Sequence, residues 1–177
     1  LETYLERLDP SHLCFSVSDV AEFERYSTRL DDLGRQGELS PAFEIFERYE
    51  LRASERLEHV ISNMGDIVAA LDFDKDEYID SDPTERAWAA NKAELDDRWR
   101  KRIKNQVLGL KLAEKPLEEI APTLVKRYEN QQTRLSQYNE QDVFAVYANA
   151  LTSQFDPHTS YFSPRRAENF DIDMRLS

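Results

Sequence analysis

One cysteine, Cys14, in a chain of 177 residues excludes an internal disulfide and a multi-cysteine metal site. Set between Leu13 and Phe15, it reads as a small buried hydrophobe. The three histidines, His12, His59 and His158, are too scattered for a zinc spacing. Four glycines suit a helical body better than a β-rich one, and neither a Gly-rich phosphate loop nor a nucleophile elbow is present. No apolar run nears the length of a membrane span. Lys and Arg number 23 against 35 Asp and Glu, a formal net charge of -12 that argues against a global nucleic-acid role. The chain has no initiator Met and stops inside a strand-like pattern. It therefore reads as an excised piece, which would not display a signal peptide.

What is present is helical periodicity, in a chain long enough for one domain with its own core. Leu1, Tyr4, Leu5 and Leu8 form a stripe closed by Asp9-Pro10. Residues 12–17 read as extended or irregular. Ser18 or Asp19 then caps a helix with the stripe Val20, Phe23, Ser27, Leu30 and Leu33, ended by Gly34 and Gly37. Ser40-Pro41 predicts the next start, a capping hydroxyl with Pro at the first helical position. From there Phe43, Phe46, Tyr49, Ala53, Leu57, Val60, Met64, Ile67 and Leu71 mark about eight helical turns, a spine in which Gly65 signals close packing. An acidic loop over 72–83 follows, then a short helical piece over 84–90 carrying Trp88. Asn91 and Glu94 cap a helix facing inward through Leu95, Trp99, Ile103, Val107 and Leu110, which Lys115-Pro116 breaks. Residues 117–138 read as helix, with Pro122 near its beginning or at a kink. Asn139 to Asp142 caps the last, with Val143, Val146 or Tyr147, Ala150 and Leu151 inward. The expectation is an all-α, irregular multi-helix bundle around one long central helix, ending in a linker and a β-strand.

The last helix delivers the chain to a joint, Phe155-Asp156-Pro157-His158-Thr159-Ser160-Tyr161-Phe162-Ser163-Pro164. Asp156-Pro157 stops the helix, because Pro disfavours the α region in the residue before it. Thr159 and Ser160 offer short hydroxyls for a turn. Tyr161 and Phe162 are expected to pack back on the helices, with Phe155, Tyr161 or Phe162 largely buried, and Pro164 stiffens the exit. Beyond it Phe170, Ile172, Met174 and Leu176 alternate with polar residues as a strand does. The predicted division is 1–155 for the helical domain, 156–166 for the joint and 167–177 for the truncated start of a following domain.

Three constellations invite a chemical reading. Asp72, Asp74, Asp76 and Asp80 fall at calcium-ligand positions of an EF-hand loop. Glu77 stands where that loop needs Gly, however, and Pro83 where it needs the closing Glu, so a solvated acidic loop with Phe73 or Tyr78 buried is the better reading. Asp156, His158 and Ser160 are the residue types of a hydrolase triad, but they lie within five residues on one turn, whereas triad members converge from separate elements. Arg98, Arg100, Lys101, Arg102 and Lys104 surround Trp99 and Ile103. Both apolar residues belong to the inward stripe, so these cations read first as a solvated face pairing with neighbouring acidic helices, and second as a docking surface for another domain.

The joint carries a resemblance. Asp156-Pro157-His158-Thr159, Tyr161 and Ser163-Pro164, followed by Glu168-Asn169-Phe170 and an alternating strand, resemble the tail-specific, or carboxy-terminal processing, proteases. Leu8-Asp9-Pro10 with Leu13-Cys14-Phe15, the run from Ser18 to Phe23, and the run from Leu95 to Asn105 resemble the large periplasmic members. The resemblance implies a helical N-terminal domain joined to a PDZ domain, with the protease core after it. It implies hydrolysis by a Ser nucleophile and a Lys base whose burial lowers its pKa. Both residues would lie beyond this chain, so no catalytic residue, cofactor or metal is expected within it. The implied partners are the PDZ and protease domains of the parent chain, unfolded or tagged protein substrates and an adaptor, in the periplasm. The rival readings are a stand-alone helical adaptor and a calcium-responsive helical protein.

Overall fold

Acceptor side chains open three of the helices. In a computed structural model that describes residues 1–79, 86–156, 159–161 and 163, the chain forms seven α-helices and no sheet among the described residues. They are α1 Glu2–Leu8, α2 Val17–Phe23, α3 Leu30–Arg35, α4 Ser40–Ala69, α5 Lys92–Leu112, α6 Leu117–Ser136 and α7 Glu140–Thr152. Ser16 caps α2 in a reciprocal box with Asp19, and Asn139 caps α7 in the same way with Asp142. Asn91 accepts from the Glu94 N–H to open α5.

Four local expectations need correction. The capping residue of α2 is Ser16, not Ser18 or Asp19, because Ser16 and Asp19 have the spacing of the box. The stripe beyond Phe23 is not one helix: a 3₁₀ turn over Glu24–Tyr26 separates α2 from α3, and Gly37 with φ 78° follows α3. The cap of α4 is Leu39. Ser40 turns its hydroxyl to Glu38 instead, and Pro41 follows in the first turn, where its missing N–H is not needed. Residues 86–90 are not helical. Ala89 pairs with Ser16 in an isolated parallel bridge, with the Val17 N–H donating to the Ala89 carbonyl at 2.8 Å. Trp88 is held there by stacking on His12 at 3.7 Å.

Two apolar clusters share α4. One gathers Tyr4, Leu5 and Leu8 of α1, Phe15, Phe23, Ile45 and Phe46, and Val143, Tyr147 and Ala150 of α7. The other gathers Ala53, Leu57, Val60 and Met64 of α4, Trp99, Ile103 and Val107 of α5, and Ile120, Leu124, Tyr128 and Leu135 of α6. Tyr49 packs against both. The 30 residues of α4, roughly 45 Å at 1.5 Å per residue, let one helix serve two cores. Gly65 does not mark close packing, for a Cβ built on it meets nothing within 4 Å. Gly34 does: its Cβ would lie 2.7 Å from the Tyr147 hydroxyl. Pro122 lies in the second turn of α6, past the free N–H groups, and the helix continues through it.

The segment between α1 and α2 is irregular, and buried polar groups organise it. Asp9, 3% exposed, accepts from the backbone N–H groups of Leu13, Cys14 and Phe15 at 2.9, 2.7 and 3.0 Å. Trp99 Nε1 donates to the Leu13 carbonyl at 2.8 Å, and Arg98 to the His12 carbonyl at 3.0 Å, which fastens this loop to α5. The strand expected over 170–176, and with it the proposed start of a following domain, lies outside the described residues.

Candidate functional site

Helix α7 has two working faces. At 3.6 residues per turn, Val143, Tyr147 and Ala150 share the side that enters the core. Asn149 and Thr152 lie on the side away from it, Phe144 lies on a flank, and the joint returns along these residues. Asn149 Oδ1 accepts from the Tyr161 N–H at 2.7 Å, while Nδ2 donates to the Tyr161 carbonyl at 3.2 Å and to the Ala145 carbonyl at 2.8 Å. The Tyr161 ring meets Phe144 edge-on, centroids 5.1 Å apart. Thr159 closes the turn: its hydroxyl donates to the Asp156 carboxylate at 2.9 Å and its N–H to the Asp156 carbonyl at 3.1 Å. Ser163 is buried.

Of the joint residues singled out in the sequence, Asp156, Thr159 and Tyr161 thus come together on α7, while Pro157, His158, Phe162 and Pro164 lie outside the described residues. The burial expected at Phe155, Tyr161 or Phe162 does not fall on Phe155, which is 72% exposed. The inward spacing 143, 147, 150 continues at 154, not 155, so the turn after α7 carries that ring outward. Gln154 occupies the inward register and donates to the Thr3 hydroxyl at 2.7 Å. Ser160 is exposed and Asp156 is engaged by Thr159, an arrangement suited to closing a turn.

The basic cluster on α5 is engaged within the chain. Its carboxylates come from α5 itself and from the acidic loop, rather than from neighbouring helices. Arg98 pairs with Glu94, Lys101 with Asp97 at 2.8 Å, and Arg100 with Asp97 at 2.8 Å and with Glu77. Lys104 reaches Glu77 at 2.7 Å. Arg100 and then Lys104 hold the Glu77 carboxyl far below the usual carboxylate range. Arg102 lies over the Trp99 ring at 5.6 Å. Glu77, placed at the forbidden Gly position of a calcium loop, is therefore the residue that ties this loop to α5. Phe73 packs against the second cluster beneath Lys111, whereas Tyr78 is 90% exposed. Among the described residues no group of three or more His, Cys, Asp or Glu is placed to hold a metal ion. No described helix is long and apolar enough to cross a membrane.

A cleft of about 920 Å³ runs between α4 and α5, with Arg52, Arg56, Lys92 and Asp96 at its rim and Leu95 and Trp99 in its floor. Arg56 pairs with Asp96 at 2.5 Å. At one end sits Asp19, whose side chain is 2% exposed and accepts from Ser16 Oγ at 2.7 Å, Arg48 at 2.9 Å and Arg52 at 3.0 Å. Burial alone would raise the Asp19 pKa. The hydrogen bonds from Ser16, Arg48 and Arg52 outweigh it and leave the group below its ordinary value. Cys14, on the cleft wall, has its thiol pKa raised by burial, which makes it a poor nucleophile. Asp9, Asp19 and Asn149 were not foreseen as structural centres. Only Asp19 had a sequence signal, the Ser16-x-x-Asp19 spacing.

Comparison with known proteins gives a consistent result. The family described as "Tail specific protease N-terminal domain" matches residues 1–165. A tail-specific protease of Haemophilus influenzae is 35% identical over 177 residues, 99% of this chain and 25% of that protein. The chain therefore spans about a quarter of the length of that relative.

Proposed function

This chain belongs to the family of tail-specific protease N-terminal domains, and from that premise we propose that it is the non-catalytic scaffold of a periplasmic serine protease that degrades or processes proteins selected by their C-terminal tails. The alignment of nearly the whole chain with a quarter of one such protease carries the reading. The geometry agrees with a supporting role, since several of the polar side chains that could attract a chemical reading are engaged in holding the fold. Asp156 closes a turn, Glu77 ties a loop and the α5 cations neutralise carboxylates.

In this proposal residues 1–155 are the scaffold, 156–166 the joint and 167–177 the beginning of a PDZ domain. A Ser nucleophile and a Lys base act in the core beyond it. The scaffold frames the substrate chamber, sets the PDZ domain in place and offers a surface to an adaptor. The test is direct. The chain alone, incubated with an unfolded protein bearing an apolar C-terminus, is expected to give no cleavage. Time-dependent cleavage that persists through purification and inhibitor controls for contaminating proteases refutes the assignment.

A further inference from the structure

We propose that Asn149 is a positioning residue that sets the bearing of the chain as it leaves the helical body, by holding the Tyr161 peptide groups in its carboxamide as a neighbouring strand would. This deepens the scaffold reading and rests on it. The two bonds, 2.7 Å from the Tyr161 N–H and 3.2 Å to the Tyr161 carbonyl, reproduce the reciprocal exchange between paired residues of an antiparallel ladder. One side chain can make both only if the N–H and carbonyl of the same residue point the same way, which is extended backbone. Asn149 therefore selects a conformation at residue 161, not merely a location.

The chemistry fixes the residue type. The third bond, from Nδ2 to the Ala145 carbonyl at 2.8 Å, sets the amide plane from within α7. Reversing the amide would set its oxygen against two carbonyls and its NH2 against an N–H, so one orientation satisfies all three bonds. Aspartate would keep the acceptor and lose both donors. Leucine would lose everything, and glutamine is one methylene too long. The Phe144–Tyr161 edge contact adds a second point of attachment five residues away on the same helix, so rotation about the clamp is resisted.

The test separates the clamp from the scaffold reading. Hydrogen exchange at the Tyr161 amide, followed by NMR in this chain, is expected to be at least about tenfold slower than in an unstructured peptide. That protection should be lost in Asn149→Leu and partly kept in Asn149→Asp. Asn149 is half-buried and outside both cores, so far-UV circular dichroism should stay unchanged in both variants. The second measurement uses the full-length chain in a Cys14→Ser background. One spin label replaces the exposed Glu58 of α4 and another sits in the domain after the joint. Wild type should give one narrow distance peak, and Asn149→Leu should lose it. Unchanged Tyr161 exchange in both variants overturns the clamp. Faster exchange with an unaltered narrow peak overturns its positioning role and leaves the scaffold reading intact. A broad distribution in wild type refutes the scaffold reading itself.

Discussion

Replacing Asp19 by Ala should cost about 3 kcal/mol, and the figure can be built from its partners. The substitution removes the capping box of α2, worth about 1 kcal/mol. It also strips a buried carboxylate from Arg48 and Arg52, and breaking a buried pair from one side costs about 3–5 kcal/mol. That range needs discounting, because the two arginines are 30% and 40% exposed and Arg48 keeps Glu22 at 2.9 Å. Taking half of it gives a total near 3 kcal/mol, or a fall in Tm of about 6–12 °C for a domain of this size. Asp19→Asn preserves the shape and one acceptor, so it should cost less, about 1–2 kcal/mol. The pH dependence follows from the direction of the shift. The folded pKa of Asp19 lies below its ordinary 3.8, so the charge-dependent stability is complete above that value and vanishes as pH falls through the folded one. The assay is urea unfolding of wild type and both variants from pH 7 to pH 2. A loss below about 1 kcal/mol for Asp19→Ala refutes the reasoning, as does a gap between wild type and Asp19→Asn that persists unchanged at pH 2.

Gly34→Ala should destabilise by about 1–3 kcal/mol, because its Cβ meets a Tyr147 hydroxyl that donates to the Leu30 carbonyl at 2.6 Å; Tyr147→Phe in the same chain should recover part of the loss in denaturant melts. Gly65→Ala should do the opposite, raising stability by up to about 1 kcal/mol at an open helical position. Asp9→Ala, which leaves three backbone N–H groups without their acceptor, should cost about 2–4 kcal/mol, and exchange of the Leu13, Cys14 and Phe15 amides should accelerate together.

How much of this was legible in the sequence depended on the range of the interaction. Helical stripes are local, so the inward residues of α5, from Leu95 to Val107, and the Asn91 and Asn139 caps could be read directly. Residues 86–90 could not, because nothing local makes them extended; Ser16 and His12, some 70 residues away, do so. Gly34 and Gly65 look alike as letters, and only the neighbour supplied by α7 distinguishes them. The joint was recognisable as a stop, from Asp156-Pro157. Its holder, Asn149, was not, since an Asn on the far side of an amphipathic helix is indistinguishable from ordinary solvent-facing polarity. The cations around Trp99 pair with carboxylates of α5 itself and of the acidic loop, not with the neighbouring helices expected, and the choice of Glu77 depends on how that loop folds back over α5.

The placement of α1 against α7 has a consequence in time as well as in space. The apolar side of α1, with Tyr4, Leu5 and Leu8, is covered largely by the last helix of the body, and Thr3 meets Gln154 where the two ends adjoin. Residues 8 and 140, the facing ends of these helices, are 132 positions apart. At about 5–20 residues per second, a ribosome needs about 7–26 seconds to make that interval. Throughout it the first helix is covered only in part, by α4, whose Ala42 carbonyl accepts from the Tyr4 hydroxyl at 2.9 Å. The α4 to α6 cluster can assemble as its helices emerge, whereas the cluster built on α1 closes only when the final thirteen-residue helix is delivered. A chain halted before α7 would present Tyr4, Leu5 and Leu8 to whatever binds nascent apolar segments.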